Sequence, residues 1–318
     1  MTTHPDLKPL PDRKRWPITL VRVAGASLSV LAVGYVCYRV TTSADALGRD
    51  FLVPEFVAAI VVGALAYAGL AVLIGVAWHR LLASTGLVNL PLREALGIFG
   101  RSQVLKYLPS NLLHYVGRHA AAYRFGAPHG PLVWASIAET VLVMAAAVLV
   151  TALFAQSLIA RAVDELHSPY WLRLALPAMA AAALMGATAY LLGRGEQTKT
   201  SSLVSLARGS AIACSLYVLF FLANGVLLAG LVATLPDVRG ASPLLLAGIV
   251  ALAWFAGFIV PGAPAGIGIR ELLLTIGLEH IGFGASALSL ALAYRIVTML
   301  GDLVLALAAF VLATRWRT

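Results

Sequence analysis

Charge is what this sequence has least of. Charged residues make up 12% of its 318 positions, about half the share usual in a soluble domain, while 60% are hydrophobic and the mean hydropathy is +0.89. Cysteine is almost absent: Cys37 and Cys214 stand alone in apolar stretches, where a thiol is a small packing group. That excludes a disulfide framework or a Cys/His metal cluster. There is no Gly-x-x-x-x-Gly-Lys-Ser/Thr loop for ATP phosphates, no helical His-Glu-x-x-His, and no group of carboxylates suited to Mg²⁺. The sequence therefore gives no sign of an enzyme, a pump driven by ATP, a metal or a cofactor. Nor is there a polar stretch that could form a nucleic-acid-binding domain, so the formal net charge of +9 points to anionic lipid headgroups and not to nucleic acid.

Long apolar runs are present instead. Segments 17–38, 56–78, 132–159, 171–192, 211–235 and 285–312 each match the roughly 20 residues that cross a hydrocarbon core, which predicts six spans in an all-α membrane protein. The first is longer than the roughly 7–15 residues of a signal-peptide core and lacks a small-residue cleavage site, so it reads as a retained span. Lys8, Arg13, Lys14 and Arg15 precede it, His79 and Arg80 end the second, Arg194, Lys199 and Arg208 follow the fourth, and Arg315 and Arg317 come last. The opposite connections hold Asp45, Asp50 and Glu55 beside Arg49, Asp164 and Glu165 beside Arg161, and Asp237 beside Arg239. By the positive-inside rule both termini are cytoplasmic, in a bacterial inner membrane.

Between the spans lie two proline-broken, charge-bearing segments, 92–125 around Pro109 and 244–280 around Pro261 and Pro264. A shift of 152 carries Pro109 onto Pro261, Pro91 onto Pro243 and Arg118 onto Arg270. This predicts an internal repeat: residues 1–16 as a basic tail, 17–159 as the first copy, 171–312 as the second, and 313–318 as a short tail. With three spans per copy the second is inverted, a recurrent transporter design. Each broken segment then reads as a re-entrant hairpin, with Asn111 in the first and Gly262, Gly266 and Gly268 in the second able to take the left-handed conformation that ends a helix. Residues 244–261 are also just long enough to cross; re-entry is preferred because it leaves Arg315 and Arg317 in the cytoplasm.

Broken backbone at membrane depth is tolerated only against protein or a wet cavity, and an ionisable group there marks a pathway or a partner. His114 and Arg118 share a helix face past the first break, and Lys106 precedes it. The half-helix near Asn111 would offer free amide groups to a phosphate or carboxylate. Arg118, Arg270, Lys106, His114 and Asn111 are thus the candidate headgroup ligands; Arg93, Arg101 and Arg124 read as interfacial cations. Arg270 and Glu271, being adjacent on a helix, must seek different partners. Glu139, Glu271, Arg295 and Asp302 are candidates for gating or coupling, with an Arg118–Glu139 ion pair as the plainer account. Gly266 to Glu271 does not form a dinucleotide fingerprint, because no strand precedes it.

These residues resemble the transmembrane-domain family of lysylphosphatidylglycerol synthases, which includes the flippase half of the multiple peptide resistance factor and stand-alone homologues. The resemblance rests on Lys106-Tyr107-Leu108-Pro109, Gly117-Arg118, Glu139, Pro264-Ala265-Gly266-Ile267-Gly268 with Glu271, and Arg295, and covers about 56–312. Ala265 stands where the family has glycine, as does Ser110. The resemblance implies lipid translocation, for an anionic phospholipid, a hopanoid or a polyprenyl-linked sugar. It implies no aminoacyl transfer, because that domain is a separate polar region. Two other readings stay open: a membrane-embedded lipid-modifying enzyme with His114 as base or nucleophile, and a scaffold for a synthase. A synthase partner or a homo-oligomer is compatible with any of them.

Overall fold

Proline sets where several of these helices begin and end. The computed structural model describes residues 16–108, 113–156, 158, 203–235, 240–260 and 264–315, and among them there are helices and no strands. The expected span 171–192, the break residues Pro109, Asn111 and Pro261, and residues 1–15 and 316–318 lie outside that description. Helices α1 (Trp16–Thr42) and α2 (Ala44–Phe51) lead into α3 (Pro54–Ser84), which opens with Pro54 in its first turn, where the missing N–H has no intrahelical partner anyway. Helix α4 (Leu92–Ser102) starts directly after Pro91 and tightens into a 3₁₀ turn, Gln103–Tyr107. Leu108, next before Pro109, is extended at φ −76°, ψ 157°, as clash with a following proline ring demands.

Helices α5 (Leu113–Arg124) and α6 (His129–Phe154) follow. After the undescribed stretch come α7 (Leu203–Val232) and α8 (Pro243–Ile259), the latter opening with proline as α3 does. Val260, next before Pro261, is again extended at φ −71°, ψ 109°. A second 3₁₀ turn (Pro264–Gly266), α9 (Ile269–His280) and α10 (Ser286–Arg315) complete the chain. The expected break in each segment is therefore present, with a helix on either side.

Helix lengths repeat in order. Helix α3 has 31 residues and α7 has 30; α4 has 11 before its 5-residue 3₁₀ turn and α8 has 17; α5 and α9 have 12 each; α6 has 26 and α10 has 30. Helices α3 and α7 pack together most extensively, α10 lies across α3 and α4, α8 lies against α6 and α7, and the two 3₁₀ turns touch. The two breaks thus meet inside the bundle.

Four of these helices, α3, α6, α7 and α10 (to Leu312), are long and apolar enough to cross a membrane. Their outward faces carry Val61, Val62 and Leu65 on α3, Leu153 on α6, Val226 on α7 and Leu303, Leu307 and Phe310 on α10, all exposed. Inward, Trp78, Tyr217, Phe221, Leu228 and Leu246 are completely enclosed. With apolar surroundings on both sides, helix association depends on close packing at small residues. Gly225 on α7 is such a point: a Cβ there would sit 2.2 Å from the Pro243 carbonyl oxygen and 2.5 Å from the Ala247 Cβ.

Gly225→Ala is expected to force α7 and α8 apart at a cost of about 1–3 kcal/mol, lowering the unfolding midpoint in detergent by several degrees. Gly230→Ala, on the same helix with open space around it, serves as the comparison and should leave the midpoint unchanged or raise it.

Candidate functional site

The meeting of the two breaks encloses a cavity of about 90 Å³, room for a handful of waters. Tyr67, Glu139, Phe220 and Asp302 line it from α3, α6, α7 and α10, each near the middle of its helix. The first 3₁₀ turn contributes Lys106 and Tyr107, α5 contributes His114 and Arg118, and the second break contributes Ala265 and Gly266. Trp254 and Gly257 of α8, Arg270 of α9 and Arg295 of α10 close it. Residues separated by nearly two hundred positions thus share one small polar chamber.

Its charges are arranged in pairs. Arg118 donates from Nη2 to Glu139 Oε2 at 2.7 Å, with both side chains buried. Arg295 donates from Nε to Glu271 Oε1 at 2.5 Å, while Glu271 Oε2 accepts the Gly268 N–H at 2.7 Å and so caps the start of α9. The second pair mirrors the first with reversed polarity. After the first break the arginine is on the short helix and the glutamate on the long one; after the second the glutamate is on the short helix and the arginine on the long one. A third group joins the first 3₁₀ turn to α10: Lys106 pairs with Asp302, and the Tyr107 hydroxyl donates to the same Asp302 Oδ2 at 2.5 Å.

Donors remain unused. Arg118 is 1% exposed, yet its Nε and Nη1 have no hydrogen-bond partner among the described residues; the rings of Trp78, Tyr115 and Phe99 lie 4.8, 5.1 and 5.4 Å from its guanidinium carbon, a favourable but non-directional contact. Arg270 makes no ion pair with any described carboxylate and lies over Trp254 at 5.5 Å, its Nε also unmatched. His114 rests against Tyr115 with ring centres 4.0 Å apart, its Nδ1 buried and without a hydrogen-bond partner among the described residues.

Of the residues singled out in the sequence, Arg118, Arg270, Lys106, His114, Glu139, Arg295, Asp302 and Gly266 line the cavity, and Glu271 and Gly268 support it from behind. The expectation that Arg270 and Glu271 look to different partners holds. Pro264 begins the second 3₁₀ turn; Asn111, Pro109 and Pro261 lie outside the described residues. Arg93, beside Glu94, and Arg101, bonded to the Gly97 carbonyl, line a separate apolar groove of about 640 Å³ instead.

Sequence reasoning passed over Tyr107, Tyr67, Trp254 and Gly257. Tyr107 sits in the same motif as Lys106, and Trp254 stacks on Phe258 one turn on, at 5.4 Å, an i, i+4 aromatic pair visible in the sequence. It also missed the Arg39–Glu279 pair that ties α1 to α9. Neither a protein-family model nor a curated protein matches the chain.

Removing one member of a buried pair leaves an uncompensated charge, at about 3–5 kcal/mol, whereas replacing both with apolar groups is often close to neutral. Glu139→Leu is therefore expected to destabilise strongly and Arg118→Leu/Glu139→Leu to recover most of the loss, read by thermal unfolding in detergent. A double variant no more stable than the single one would refute the pairing. Ala265, at φ 50°, ψ 19°, occupies left-handed backbone that costs a residue with a Cβ about 1–2 kcal/mol. Ala265→Gly should accordingly raise the unfolding midpoint.

Proposed function

We propose that this chain is an integral membrane lipid transporter, a flippase that moves the polar headgroup of an anionic or lipid-linked molecule between leaflets of the bacterial inner membrane. The observation that carries this reading is the placement of the charged cavity at the mid-length of four long apolar helices. Groups of that kind at that depth are costly unless they serve a path for a polar solute. Arg118 and Arg270 bind the headgroup, with Lys106, His114 and the helix ends beside it, while the hydrocarbon chains stay in lipid.

In this reading the two broken segments are re-entrant hairpins of an inverted repeat, with six spans and both termini cytoplasmic. The 17 residues of α8 support it: at about 1.5 Å per residue they reach about 25 Å, short of the roughly 30 Å core. The likeness of the two break motifs to the lysylphosphatidylglycerol synthase transmembrane family points the same way. Alternating access would come from rocking of one copy against the other, with the Lys106–Asp302–Tyr107 group opening and re-forming. The enzyme reading draws less support, since no described carboxylate bonds His114 to orient it as a base.

In vesicles of anionic and zwitterionic phospholipid loaded with a fluorescent phosphatidylglycerol, the wild-type chain is expected to carry label between leaflets, and Arg118→Ala/Arg270→Ala to slow this at least tenfold. Arg93→Ala, outside the cavity, should transfer at the wild-type rate. Equal rates from the double variant and wild type would refute the arginine cradle, and wild-type transfer no faster than in protein-free vesicles would remove the transport reading in favour of a scaffold.

A further inference from the structure

Four lysine and arginine side chains, Lys106, Arg118, Arg270 and Arg295, face three carboxylates around the cavity. Once the three pairs have formed, one positive charge is left over. It falls to Arg270, the cavity cation with no acidic partner among the described residues. We infer that the cavity takes a headgroup carrying one negative charge, a phosphodiester, and discriminates against phosphomonoesters and diphosphates, with Arg270 as its anchor. This rests on the reading above that the cavity holds a lipid headgroup.

The reasoning is electrostatic. In a small cavity set among apolar helices an uncompensated charge costs far more than it does in bulk water. A monoanion brings the enclosure to neutrality. A dianion would exchange one unpaired cation for one unpaired anion and leave the cost in place, and a diphosphate would add to it. A neutral headgroup would leave Arg270 as it stands. The unused, buried Nε and Nη1 of Arg118 supply further donors without disturbing its bond to Glu139, and guanidinium groups suit two-point contact with phosphate oxygens.

Arg270 is also held in place, as an anchor must be. Its side chain threads between Gly257 of α8 and Gly266 of the second break. A Cβ on Gly257 would lie 2.6 Å from Arg270 Cγ and 2.9 Å from Nε; one on Gly266 would lie 2.7 Å from Nε and 3.0 Å from the Gly257 Cα. The two backbones touch across the slot and confine the guanidinium over Trp254. Gly257 and Gly266 are thus positioning residues: any larger side chain at either would push the charge away from the cavity.

Phosphodiesters occur in two kinds of lipid, glycerophospholipids and sugars linked to a prenol through a single phosphate. The test is calorimetric titration of the full chain in detergent with four soluble probes: dihexanoyl phosphatidylglycerol, a short-chain prenyl phosphoglucose, dihexanoyl phosphatidic acid, and farnesyl diphosphate. At least one of the two diesters is expected to bind tenfold or more tighter than the monoester and the diphosphate, and whichever does so names the source. Arg270→Gln and Gly257→Ala are each expected to weaken that diester at least tenfold. Should Gly257→Ala unfold the chain, Arg270→Gln, which removes the charge without crowding the slot, carries the test alone. Tighter binding of the monoester or diphosphate, or diester affinity unchanged in Arg270→Gln, would overturn the inference while leaving the transport reading to wild-type transfer in the vesicle assay, which does not depend on how Arg270 selects its anion.

Discussion

A guanidinium or ammonium group enclosed by apolar helices is tolerated only if a counter-charge, a ring of dipoles or a ligand meets it. Most of the interior of this chain can be understood from that constraint. Lys106, Arg118 and Arg295 each have a carboxylate, and each carboxylate comes from a different helix than its cation. Meeting the electrostatic demand therefore also fixes which helices are neighbours: α5 with α6, α9 with α10, and the first 3₁₀ turn with α10. Apolar packing alone would specify these neighbours weakly, since the helices are apolar on their outer faces as well.

Broken backbone and buried charge support one another. A helix that stops inside the bundle leaves terminal amide and carbonyl groups without intrahelical partners, and polar side chains can supply some of the missing bonds. Glu271 does both tasks at once, taking the free Gly268 N–H with one oxygen and Arg295 with the other. The two Arg–Glu pairs have reversed polarity, so the same electrostatic task is met after each break by a different arrangement of residues. A comparison of residue identities at a shift of 152 would miss that correspondence, because it sets Arg118, which has a carboxylate partner, against Arg270, which has none among the described residues.

Much of this was legible in the sequence, for identifiable reasons. The prolines act through steric restriction on the preceding residue, a local rule, so the breaks near Leu108 and Val260 could be placed from the sequence. Arg118, Arg270, Glu139 and Asp302 stood out because ionisable residues are rare in such apolar stretches. What could not be read was who pairs with whom: the choice of Asp302 for Lys106 depends on how α10 crosses α4, which no local pattern encodes. The Arg39–Glu279 pair was hidden for the same reason. The slot around Arg270 was invisible because it is made of what Gly257 and Gly266 lack. Ala265 shows the opposite limit: local rules disfavour left-handed backbone there, and the tertiary structure imposes it.

The three ion pairs also differ in how far apart their members lie along the chain. Arg118 and Glu139 are 21 residues apart and Glu271 and Arg295 are 24 apart, whereas the Asp302 that pairs with Lys106 lies 195 residues beyond the neighbouring Tyr107. Because a chain is made from its N-terminus onward, the first pair can form once α6 is made, while the helices after it have yet to be synthesised. Lys106 and Tyr107 must wait for the final helix to bring their carboxylate. Until then Lys106 is a cation without its acid, a partly assembled state that the last helix ends. Completion of synthesis and closure of the bundle are thereby linked, and a chain that stops before Asp302 retains a chemical mark of being unfinished.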